Sequence, residues 1–114
     1  MTTPVQSAKV VEDFEDLLHF ARAGRCLEPI TTNMTVSACQ LEIHVRSTAA
    51  ASWIAYLSTE GFRFDIGVAY RHSNGHPAIE GRRAARPDFD RPAHHVVLVM
   101  VERDEDAVEV AEAA

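Results

Sequence analysis

Lysine is nearly missing from this chain: Lys9 is the single one among eleven basic residues, and the other ten are arginines. With abundant alanine, that bias fits a high-GC bacterial or phage genome. It also matters chemically, because arginine offers carboxylates and phosphates a planar fork of donors where lysine offers a point charge. Cysteine is scarce too. Cys26 and Cys39 cannot build a disulfide framework and lie too far apart for a C-x-x-C redox pair, so two reduced thiols without a special role are expected. No long apolar run is present. The longest, Val96-Val97-Leu98-Val99-Met100-Val101, falls far short of the ~20 residues that span a bilayer. Met1-Thr2-Thr3-Pro4 lacks the basic start and apolar stretch of a secretion signal, so a cytoplasmic protein without membrane contact is expected. The chain also lacks a G-x-x-x-x-G-K-[ST] phosphate loop, a G-x-G-x-x-G dinucleotide fingerprint and a G-x-S-x-G nucleophile elbow.

What is present describes an ordinary folded domain. The 114 residues fit one domain, and 46% apolar with 25% charged residues is too apolar for a disordered chain. The net charge of −6 is unevenly spread. Residues 1–70 hold 8 acids and 5 bases, residues 71–101 hold 3 acids and 5 arginines, and residues 102–114 hold 6 acids and 1 base. The middle block also carries His72, His76, His94 and His95, so its positive charge grows below about pH 6.5.

The pattern of apolar residues predicts the order α-β-α-β-β. Val10, Phe14, Leu17, Leu18 and Ala21 recur at helical spacing, predicting a helix from a Ser7 cap to about Ala23, with Gly24 as its stop. Its early acids, Glu12, Asp13, Glu15 and Asp16, suit the helix dipole. A connector follows over 25–33. Strand alternation then runs from Met34 to Arg46 but changes phase near Cys39, which calls for a bulge or two strand pieces. Ser47 or Thr48 caps a second helix to Glu60, with Ala50, Trp53, Ile54 and Leu57 on its buried face and Gly61 after it. Phe62–Arg71 alternates strictly, with Arg63 on its polar side, and His94–Val101 is apolar on both faces, as a central strand is.

The expected fold is therefore a small two-layer α+β sandwich: a three-stranded mixed sheet with two helices on one face. It becomes a split β-α-β if the last strand inserts between the other two. Residues 1–101 form the domain and 102–114 an acidic tail. The second face of the last strand, with Val97, Val99 and Val101 or else Val96, Leu98 and Met100, then needs a cover; a second copy of the chain is the simplest one, with the tail or the connector as the alternative. A homodimer is expected on that ground.

Residues 72–93 read as a 22-residue loop between two strands, longer than ordinary loops and interrupted by three prolines and two glycines. It supplies the candidate binding residues Arg82, Arg83, Arg86, Arg91, Phe89, His72 and His76. Three guanidinium groups within five residues suit an acidic protein surface, which makes a regulatory or adaptor module the leading reading. A nucleic-acid regulator using the same arginines comes second, because the chain is acidic overall and only Phe89 offers stacking in the loop. A histidine-based enzyme comes third. His72, His76 and His94, with Asp88 and Asp90, offer metal-ligand chemistry if the loop gathers them, but H-x-x-x-H on an Asn-Gly turn is a weak pattern and no metal, cofactor or catalytic residue is assigned. The acidic tail from Glu102 could also fold back over the arginines.

Overall fold

The computed structural model describes residues 4–65, 70–71, 75–86, 93–102, 108 and 110–112. Helix α1 spans Pro4–Ala21 and so begins ahead of Ser7. Proline suits a first turn, where its missing N–H would have had no intrahelical acceptor. Val10, Phe14, Leu17 and Ala21 are buried, the stripe that the spacing predicts. The helix closes with Cys26 N donating to Ala21 O and Arg25 N to Arg22 O, both at 3.0 Å. That is a Schellman pattern whose left-handed residue is Arg25 (φ 63), not Gly24. Gly24 is needed for space, since a Cβ there would meet Tyr56 Cδ1 at 2.8 Å.

Strands β1 (Thr31–Thr35) and β2 (Gln40–Arg46) pair antiparallel across a 3-10 turn at Val36–Ala38, with Cys39 in the left-handed region (φ 49). The phase change near Cys39 thus marks two strand pieces, and β1 takes up part of the expected connector. A second 3-10 turn, Ser47–Ala49, leads into α2 (Ala50–Thr59). Neither Ser47 nor Thr48 caps that helix; Ala49 occupies the position without a side-chain bond. Gly61 (φ 94) closes α2, as expected, with Phe62 N bonded to Leu57 O at 3.0 Å.

The sheet has more strands than the three expected. In place of one strand over Phe62–Arg71 the chain forms β3 (Arg63–Phe64) and β4 (Tyr70–Arg71), and β5 (Pro77–Arg83) lies inside the segment read as a loop. β6 is His94–Val101, as expected. The order is β1-β2-β6-β5-β3, with β4 on the same side of β5 as an added pair. β5 forms because its awkward residues sit where a strand tolerates them. Pro77 is the first residue, and Gly81 lies under the Phe64 ring, where a Cβ would come within 2.7 Å of Cζ. β2 and β6 are parallel, while β6–β5 and β5–β3 are antiparallel, so β2 and β3 run the same way around α2. This is a split β-α-β with two strands inserted rather than one.

Leu41, Ile43 and Val45 of β2, Ile79 of β5, and Val96 and Leu98 of β6 form one core with both helices. On the opposite face Val97 and Val99 are 3% and 0% exposed within a single chain and cluster with Ala78. The face that suggested a second copy is therefore already covered, and that argument for a dimer loses its premise. No helix among the described residues is long and apolar enough to cross a membrane.

Candidate anion-binding cleft at the end of the sheet

Pairing β5 with both neighbours aligns residues that are far apart in sequence. Arg63 faces Arg82 across β3–β5, and Arg82 faces His95 across β5–β6. Directly opposed residues share a sheet face, so these three side chains form a row on the side away from the helices. The row opens on a cleft of about 1290 Å³, which Arg83, Arg86, His94 and Phe64 also line, with Glu60 and Asp65 as its acids. Among the described lining residues four arginines against two carboxylates give it a positive balance.

Arg82 and Arg83 are neighbours in sequence and point to opposite faces. The Arg82 side chain is 72% exposed, and its ion pair with Glu80 is long, 3.7 Å, and largely in water, where such pairs contribute little. Arg83 is built into the fold. Its Nη1 donates to Glu60 O at 3.0 Å, and its guanidinium lies 4.7 Å from the centroid of the Phe62 ring. Its Nη2 donates to His94 Nδ1 at 3.3 Å.

His94 is 1% exposed and held on both sides. A guanidinium has no acceptor, so Nδ1 must accept and carry no proton. Nε2 then carries it and donates to Asp13 Oδ2 at 3.1 Å. The ring also meets Phe14 edge-on at 5.2 Å. Lys9 lies 3.6 Å from the other oxygen of Asp13. This buried chain ties α1, β6, β5 and the end of α2 together behind the cleft. With both ring nitrogens engaged, His94 is a structural residue and not a proton carrier for a ligand.

Other polar groups are similarly absorbed. Tyr56 donates to Leu17 O at 2.5 Å, and burial, reinforced by the Glu60 carboxylate, raises its pKa to about 12. Burial also pushes the Cys26 thiol up, and Sγ donates to Ser52 O at 3.6 Å. A protonated, buried thiol is a poor nucleophile. His44 is buried, with Nε2 donating to Glu42 at 2.5 Å.

Of the residues singled out from sequence, Arg82, Arg83 and Arg86 come together at the cleft. His76 does not: it precedes β5 while His94 faces the far end of that strand, and seven residues at ~3.3 Å each separate them by roughly 20 Å. The segment expected to gather the histidines as a loop holds a strand instead. His72, Phe89 and Arg91 lie outside the described residues, as do Asp88, Asp90 and residues 103–107 of the acidic tail. No group of three or more metal-ligating side chains occurs among the described residues. Arg63 and His95 were not assigned to the site from sequence, because their alignment with Arg82 exists only once β5 is a strand. No protein-family model, curated protein or solved structure matches the chain.

Proposed function

We propose that this protein is a binding module that takes an acidic segment of another protein into the arginine-lined cleft, in a regulatory or adaptor role. The observation that carries the reading is the row Arg63–Arg82–His95, two guanidinium groups directly opposed on adjacent strands with an imidazole next in the row. Like charges placed directly opposite destabilise a sheet, so such a row is costly in the free protein and favourable once an anion lies across it. Arginine forks bind carboxylates in pairs, and an acidic peptide needs only this local patch on a chain that is otherwise negative.

Fluorescence anisotropy with a labelled Asp/Glu-rich peptide tests the proposal, with a neutral peptide of equal length and a single-stranded oligonucleotide run beside it. The acidic peptide should bind in preference to both, weakening as salt rises. Arg63→Ala with Arg82→Ala should reduce its affinity about tenfold or more. Equal binding of the neutral peptide, or no loss in the double variant, overturns the proposal. Preference for the oligonucleotide with a steep salt slope would transfer the site to nucleic acid.

A further inference from the structure

The two edges of the sheet are built differently. On the β3 side the outer strand is only two residues long, carries Arg63 and is followed by Asp65, with β4 as a second short piece on β5. Short strands and charges are the usual protection against edge-to-edge pairing. On the other side β1 has five residues, Thr31-Thr32-Asn33-Met34-Thr35, with no charge and no proline. Among the described residues it pairs with β2 alone, and Thr32, Asn33 and Thr35 are exposed. Its outer backbone groups form a template for another strand.

We infer that β1 is a dimerisation edge, and that its occupant is β1 of a second copy, antiparallel about a two-fold axis through Asn33. The sequence is self-complementary in that register. Thr31 faces Thr35 of the second copy, Thr32 faces its Met34, and Asn33 faces its own counterpart. Threonine pairs are favourable cross-strand neighbours, and no facing pair sets like charges together. This matters for a chain of net charge −6, whose copies repel one another overall. A two-fold axis normal to the sheet keeps both helix layers on one side and doubles the five-strand path β1-β2-β6-β5-β3 to ten. The arginine clefts then lie at opposite halves of the joined sheet and stay open.

Sedimentation velocity on the full chain, from about 1 µM to about 300 µM, reads the assembly directly. A species of twice the 12.6 kDa chain mass is expected, strengthening with salt as the mutual repulsion is screened. Asn33→Lys places its ammonium opposite Glu42 of its own chain, which suits the β1–β2 ladder, but opposite a like charge across the two-fold axis. It should weaken the dimer about tenfold with an unchanged circular dichroism spectrum. Asn33→Cys gives an independent reading, because facing residues in an antiparallel pair lie within disulfide reach. Mild oxidation should then produce a two-chain band that reductant removes and that wild type does not give. A monomer throughout the concentration range overturns the inference. So does a dimer that Asn33→Lys leaves intact, or one in which Asn33→Cys fails to cross-link.

Discussion

Two buried rings, His94 and Tyr56, show how single residues here are committed to the fold before any ligand arrives. Each nitrogen of His94 has a partner of fixed character, Arg83 on one side and Asp13 on the other, so the ring acts as a spacer between two charges. Tyr56 performs a similar task between the helices, donating to Leu17 O from α2 to α1. Its raised pKa has a direct consequence for stability. The folded state holds the phenol proton more tightly than the unfolded chain does, so this contribution is complete below the ordinary value near 10 and is lost as pH rises towards 12. Urea unfolding between pH 9 and pH 12, a window set by that shift, should show stability falling with pH in wild type. The slope should be smaller in Tyr56→Phe. Equal slopes in the two proteins would assign the alkaline loss to other groups.

At the scale of elements, β5 decides the architecture, and Gly81 decides β5. Phe64 packs onto the bare backbone at Gly81, and a methyl group there would overlap the ring at 2.7 to 2.8 Å. Overpacking of this kind costs about 1–3 kcal/mol, so Gly81→Ala should lower the unfolding free energy by that amount. Adding Phe64→Leu to Gly81→Ala should recover part of the loss, a coupling that a double-mutant cycle measures. Additive losses would mean that the strain lies in the backbone and not at the ring. The same residue explains what periodicity could and could not reveal. Strong stripes such as Val10-Phe14-Leu17-Ala21 and the all-apolar β6 are legible because burial dictates each position. Pro77–Arg83 has only Ala78 and Ile79 as buried apolar side chains, and its proline and glycine read as loop signals until their positions at the strand start and beneath a ring are known. Arg25 is a milder case, since the left-handed residue that ends α1 is one step beyond the glycine that sequence alone singles out.

At the scale of the whole molecule, the cleft is a cationic site on an acidic protein, and its legibility follows from how it is assembled. Arg82, Arg83 and Arg86 stand out as a run in the sequence, but proximity along a strand sends alternate residues to opposite faces, and Arg83 is spent on Phe62 and His94. Arg63 and His95 belong with Arg82 through register, a property of pairing that no single segment encodes. If the row exists for a ligand, function and stability oppose each other there. Arg82→Gln removes the like-charge neighbour from Arg63 and gives up only the long, exposed pair with Glu80. The free protein should therefore gain about 0.3–0.5 kcal/mol in urea unfolding at low salt, and the gain should shrink as salt screens the row. The same variant should bind the acidic peptide more weakly than wild type. A loss of stability in Arg82→Gln would mean that Arg82 holds the sheet together, and the row would then need no ligand to explain it.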